Sequence, residues 1–220
     1  MARESNKDPE TLRDRLVEAA LEILSAEGIE GLTLRSVARR VGVSHGAPAR
    51  HFRSLSDLRA EVAAVGYRSL SESIEKACAQ IPAEPSPDGP LEGGPFPRLP
   101  AAGRAYLDCA LANPGLFALM FRPGDLDFEN ASLARDSQSA FNQLHEQVRI
   151  AQSAGWKPTH PSRLVAGALW ASIHGLATLW LQGAYQAVNP NVSIDEAVAT
   201  SFALSAPDPV SLTDKENEHE

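Results

Sequence analysis

The sequence predicts an all-α fold, and three observations carry that prediction. Ala and Leu are frequent while β-branched residues are sparse. Apolar residues recur at intervals of three and four along most of the chain. Glycines, Asn-Pro pairs and Ser/Thr residues punctuate these stretches where helices must end and begin. The expectation is about nine helices: a small three-helix unit at the N-terminus, then a longer antiparallel helical body.

The chain of 220 residues is long enough to bury a core of its own. Its formal charge is −8, unevenly placed: residues 1–60 sum to +1 and residues 61–220 to −9. The first quarter tolerates a polyanion and the remainder repels one. Cys78 and Cys109 lie far apart within helical patterns, so neither a zinc cluster nor a disulfide scaffold is expected. The polar N-terminus does not read as a signal peptide. The longest apolar run, 164–181, is interrupted by Ser172, His174 and Thr178, so no membrane span and a cytoplasmic location are expected.

Taken in order, residues 1–8 read as frayed. Residues 9–27 form a helix with Leu12, Leu16, Ala20, Ile23 and Leu24 on one stripe, Pro9 in its first turn and Gly28 at its end. Thr33 caps a second helix, Leu34–Val41, with no Glu or Gln three residues on to complete a capping box. Gly42 ends it, Val43 enters the core and Ser44 caps a third helix over about 45–51. Pro48 is tolerated only in a first turn, so that helix starts near Ser44 or His45. Phe52 anchors its end.

Ser54 or Ser56 caps a fourth helix over 55–80. Residues 82–96 hold five prolines and three glycines and read as a flexible loop. Helices follow over 97–112, then over a short apolar stretch after Asn113-Pro114. An acidic loop covers 122–130. Further helices are expected over 131–154, 162–185 and, capped by Ser193, 194–205. Residues 206–220 hold five acids and one lysine and read as a disordered tail.

Residues 28–53 stand out within this acidic chain. They carry five arginines against one acid, a net +4, on a helix-turn-helix pattern. A short helix bearing Ser44, His45, Gly46, Ala47, Arg50 and His51 suits the DNA major groove, which admits one helix. Gly46 and Ala47 permit close backbone approach, and His45, Arg50 and His51 supply donors. Thr33 at the start of the second helix, together with Arg35, is placed to hold phosphates. His45 and His51 do not share a helix face, which argues against a metal site.

The stretch GLTLRSVARRVGVSHGAPARHFRSLSDL resembles the DNA-binding domain of the tetracycline-repressor (TetR) family of bacterial transcriptional regulators. The matching marks are Thr33, Val37-Ala38, Gly42-Val43-Ser44, Gly46, His51-Phe52 and Leu58. AGRAYLDCALANPGLFALMF and ALWASIHGLATL are similar to the C-terminal domains of one TetR subgroup, marked here by Trp170, His174 and Gly175. The resemblance implies a DNA-binding domain over 1–54 and an effector-binding and dimerisation domain over 55–205. It implies a homodimer through the helices near 162–185 and 194–205, a palindromic double-stranded operator, repression, and an unknown small-molecule effector. The family often has Tyr where Ala49 stands and Lys where Leu55 stands, both phosphate contacts, so weaker electrostatic affinity is expected.

The candidate effector residues are Tyr106, Phe117, Met120, Phe121, Trp170 and His174. Trp170 and His174 are an i,i+4 pair on one helix face, which fits core packing as well as a pocket. Two alternatives stay open: a DNA-binding regulator without an effector, and a helical enzyme. The second lacks support, since residues 97–185 show no clustered acid/base constellation, metal-ligand spacing or nucleophile elbow. No catalytic residue, metal or cofactor is expected.

Overall fold

The computed structural model describes residues 11–81, 96–153, 155–156 and 159–204. The expectations of a frayed stretch over 1–8, of Pro9 in a first helical turn, of most of the flexible loop over 82–96 and of a disordered tail over 206–220 fall on residues outside the described ones. Within them the chain is helical, with nine α-helices and no strand. The helices are α1 (Leu12–Gly31), α2 (Leu34–Val41), α3 (Leu55–Ala79), α4 (Arg98–Ala112), α5 (Pro114–Met120), α6 (Ala131–Ser153), α7 (Ser162–Leu181), α8 (Ala184–Val188) and α9 (Ile194–Leu204). Short 3-10 turns occupy Pro48–Arg50 and Pro123–Asp125.

The chain divides into two compact units, Met1–Ser73 with Asp108–Phe141, and Ile74–Leu107 with Asn142–Glu220. That partition differs from a cut at 54/55. The boundary falls inside α3, α4 and α6 rather than in a loop.

In the first unit α1 buries Leu16, Ala20, Ile23 and Leu24, the stripe its 3.6-residue period prescribes. Helical dihedrals are interrupted at Gly28, whose φ of 72° a side chain would resist, and resume beyond the kink to Gly31. α5 lies against α1: a Cβ on Gly115 would come within 3.0 Å of the Leu24 carbonyl oxygen. Tyr67 of α3 donates its hydroxyl to the Met120 carbonyl (3.1 Å). Its ring meets Phe121 edge-on, with centroids 5.9 Å apart.

The second unit packs α8 and α9 on α7. Ala166, Leu169, Ile173, Leu176 and Ala177 form the buried face of α7, and Ala197, Val198 and Phe202 that of α9. Arg104 of α4 pairs with Asp195 of α9. His145 Nε2 lies 2.8 Å from the Ser162 hydroxyl, joining α6 to α7. Ser193 and Glu196 form a reciprocal box at the start of α9 (2.8 and 3.2 Å).

Two expectations need correcting here. α7 ends at Leu181 rather than 185, because Gly183 takes a left-handed conformation (φ 72°) and a separate turn, α8, follows. α7 is long and apolar enough to cross a membrane by length and composition only; the core helix of a soluble protein meets the same description, so the expectation of no membrane span is not overturned. Finally, no α-helix forms over 45–51, as described next.

Candidate nucleic-acid interface

Thr33 begins α2 from an extended conformation, and its hydroxyl accepts the Ser36 amide (3.0 Å). The Ser36 hydroxyl accepts the Thr33 amide in return (3.0 Å) and donates to the Gly31 carbonyl (2.7 Å). A complete capping box is therefore present where the sequence rule, written for Glu or Gln, finds none. Val37 and Ala38 are fully buried. Gly42 adopts φ 76°, ψ 32° and the Val43 amide reaches back to the Ala38 carbonyl (3.0 Å), the hydrogen bond of a Schellman stop.

Residues 45–51 form a turn and a single 3-10 turn at Pro48–Arg50. The cause is Pro48, which has no N–H to continue an α-helical ladder. The chain tightens instead to three-residue bonds: Ala47 amide to Ser44 carbonyl (2.9 Å), Arg50 to Ala47 (3.1 Å) and His51 to Pro48 (2.9 Å). Ser44 thus caps through its carbonyl rather than its side chain. Pro48 and Phe52 are buried and act as the two pins of the segment.

Between and before those pins, Ser44, His45, Gly46, Ala49 and Arg50 are exposed, while Ala47 and His51 are half-buried. Arg35 and Arg39 are exposed on α2. Arg40 is engaged: its guanidinium meets Glu22 (3.0 Å) and Glu27 (3.4 Å) of α1. The sequence-based candidates Thr33, Arg35, Ser44, His45, Gly46, Ala47, Arg50 and His51 therefore fall on one continuous capped helix, turn and 3-10 segment. Its exposed side chains carry positive charge and hydrogen-bond donors, the chemistry needed to meet phosphates and base edges.

Sequence reasoning missed the polar layer behind this segment. Asn130 is buried, and its side-chain amide donates to Asp57 (2.8 Å) and Glu61 (2.9 Å), both also buried. Asp57 accepts the Arg53 backbone amide (2.9 Å). Glu61 pairs with Arg13 (2.7 Å), whose guanidinium carbon stands 5.2 Å from the Phe52 ring centroid. Burial alone would raise both carboxyls. Hydrogen bonds to Asn130 and to Arg53 or Arg13, and the charges of those arginines, outweigh it and hold both below the usual carboxylate range. The available signal was an acid pair at i,i+4 among the apolar residues Leu58 and Val62.

The effector candidates separate into two groups. Tyr106, Trp170 and His174 belong to the second unit: the Tyr106 hydroxyl lies 2.8 Å from His174 Nδ1, and the Trp170 and His174 rings are 6.3 Å apart. Burial lowers the pKa of His174, favouring the neutral imidazole. Phe117, Met120 and Phe121 belong to the first unit, where Phe117 and Phe121 meet edge-on with centroids 5.1 Å apart. Among the described residues no group of His, Cys, Asp and Glu could hold a metal ion.

A capped helix, a turn and an exposed cationic 3-10 segment at the head of an all-α body are the arrangement of a DNA-binding transcriptional regulator. Residues 16–62 match the family described as bacterial regulatory proteins, tetR family. Residues 99–201 match the tetracyclin repressor-like C-terminal domain. The chain belongs to the TetR family, a family of regulators rather than of enzymes. It is similar to the HTH-type transcriptional regulator AcrR of Shigella flexneri, 28% identical over 39% of this chain and 40% of that protein. It is also similar to the HTH-type transcriptional regulator SrpR of Pseudomonas putida, 42% identical over 24% of each. The chain thus matches less than half the length of either relative. A solved structure of a protein of unknown function from Rhodococcus sp. RHA1 shares the fold with a TM-score of 0.73, at 28% identity over 92% of this chain and 97% of that one.

Proposed function

We propose that the chain is a ligand-responsive DNA-binding regulator that acts as a homodimer on a palindromic operator, in the cytoplasm, as a repressor. The observation that carries this reading is the segment 33–53. Its apolar residues Val37, Pro48 and Phe52 are buried, and its polar and cationic residues Arg35, His45 and Arg50 are exposed.

A second copy of the chain is the partner that α7 calls for. Leu164 and Leu179 are 71% and 45% exposed. They share a helix face with Ala168, Ala171 and Gly175, opposite the buried residues Leu169 and Ile173. An apolar stripe built on small residues supports close helix-to-helix packing. Two copies joined there would present two recognition segments, which fits two half-sites about one DNA turn apart.

For the effector, the Tyr106–His174 pair beside Trp170 offers a neutral hydrogen-bonding edge on an aromatic wall, the composition of a small-molecule site. The ligand acts by selecting a conformation in which the two recognition segments no longer match the half-sites. α3 contributes residues to both compact units and is the element through which that change travels.

The test is selection of bound duplexes from a random DNA pool. An inverted repeat is the expected product and speaks for both DNA binding and a two-fold dimer. A pool that never enriches removes the proposal.

A further inference from the structure

Every polar group of Asn130 is used. Its backbone amide donates to the Asp127 carbonyl (3.1 Å) and its carbonyl accepts the Ala134 amide (3.1 Å). Its side-chain oxygen accepts the Leu133 amide (3.0 Å), capping α6. Its two side-chain N–H groups go one each to Asp57 and Glu61. The orientation of the amide is forced, since ionised carboxylates only accept and a backbone N–H only donates. No other residue of this length offers two donors and one acceptor. Asp has no donor when ionised, Ser has one, and Gln is a carbon longer.

The two carboxylates lead to consecutive residues of one segment. Asp57 holds the backbone amide of Arg53. Glu61 holds Arg13, which lies over the ring of Phe52. Phe52 and Arg53 close the turn that presents His45 to His51. We infer that Asn130 is a positioning residue for DNA binding: one side chain caps α6 and, through Asp57 and Glu61, fixes where the recognition segment ends. This rests on the reading of residues 45–53 as the DNA-facing segment.

Two substitutions separate this role from simple capping. Asn130→Ser keeps a good helix cap and removes the amide. Asn130→Asp also keeps the cap but sets a third carboxylate against Asp57 and Glu61. The groups facing this cluster are Arg13 and Arg53, with Ser132 and Arg135 near Glu61, and neither variant alters them. The probe is a duplex selected by the wild-type protein, and the readout is affinity relative to wild type at each pH. Asn130→Ser is expected to lose several-fold and Asn130→Asp about tenfold near pH 8, the scale of a hydrogen bond to a charged group. As pH falls towards the carboxylate range the Asp variant recovers relative to wild type, because a protonated carboxyl regains a donor. The Ser variant does not recover.

Amide exchange at Arg53 is the second readout and needs no DNA; faster exchange in both variants is expected. Wild-type affinity in the Ser variant, or unchanged Arg53 exchange, overturns the inference, and the Ser variant decides the matter should the Asp variant not fold. A wild-type protein that enriches no duplex removes the DNA reading instead, and the exchange measurement then decides the role of Asn130 by itself.

Discussion

The phenolic oxygen of Tyr106 lies 2.8 Å from Nδ1 of His174, linking α4 to α7 within one compact unit. Burial holds His174 below its ordinary value of 6.5. Between 6.5 and the folded value the unfolded chain binds a proton that the folded chain does not, so stability rises with pH in that window. The contribution is whole above 6.5 and is lost as pH falls from there through the folded value. Melting temperature is expected to drop on acidification across this range. His174→Asn flattens that part of the curve, and the difference between the two proteins isolates His174 from the other histidines. Tyr106→Phe removes the hydrogen bond and costs about 0.5–1.5 kcal/mol in denaturant unfolding.

Thr33→Ala removes the hydroxyl that accepts the Ser36 amide and leaves the other half of the box, the residue-33 amide donating to the Ser36 hydroxyl, in place. Loss of such a cap costs roughly 0.5–2 kcal/mol, read as a lower denaturation midpoint at unchanged slope. Thr33→Ser keeps the acceptor and stays near wild type. A Thr33→Ala protein as stable as wild type contradicts the cap assignment.

Gly103 of α4 lies against α9. A Cβ there would stand 2.8 Å from Cζ of Phe202 and 3.4 Å from Cδ1 of Ile173. A ring cannot yield as a flexible side chain does, so Gly103→Ala costs about 1–3 kcal/mol by overpacking. Gly66→Ala meets the Met120 sulfur instead, and Met can swing aside. Thermal melts of the pair should rank Gly103→Ala below Gly66→Ala.

Leu179 is exposed on the small-residue face of α7. Leu179→Glu in both copies sets like charges into the proposed seam, and sedimentation should show a monomer where wild type shows a dimer. A variant that sediments as wild type places the dimer on another face.

Much of the fold was legible because its signals are local. The stripe Leu16, Ala20, Ile23 and Leu24 is a period, Gly42 is a left-handed stop, and Ser193 is a cap; each is written within a few residues. The miss at 45–51 came from reading Pro48 as a start signal when, in so short a segment, the missing donor leaves only a 3-10 turn. Ser36 escaped because its hydroxyl does the work assigned to a longer acid. Gly183 was passed over inside an apolar run. Asn130 could not be read at all, since its partners lie 73 and 69 residues away and only the tertiary fold brings them together. The effector candidates were chosen by residue type, and type does not say which compact unit a side chain joins.

Salt dependence tests the docking of residues 33–53 on DNA through phosphates and base edges. Binding of the selected duplex should be measured against salt concentration for wild type, Arg50→Ala and Arg40→Ala. Log affinity is expected to fall linearly with log salt in wild type, at a slope of about −0.9 per phosphate neutralised. Arg50→Ala costs about 1–3 kcal/mol if the side chain meets a base edge. Arg40→Ala, whose charge is already engaged by Glu22 and Glu27, costs far less. A salt-independent affinity, or an Arg50→Ala protein that binds as wild type does, would contradict that docking.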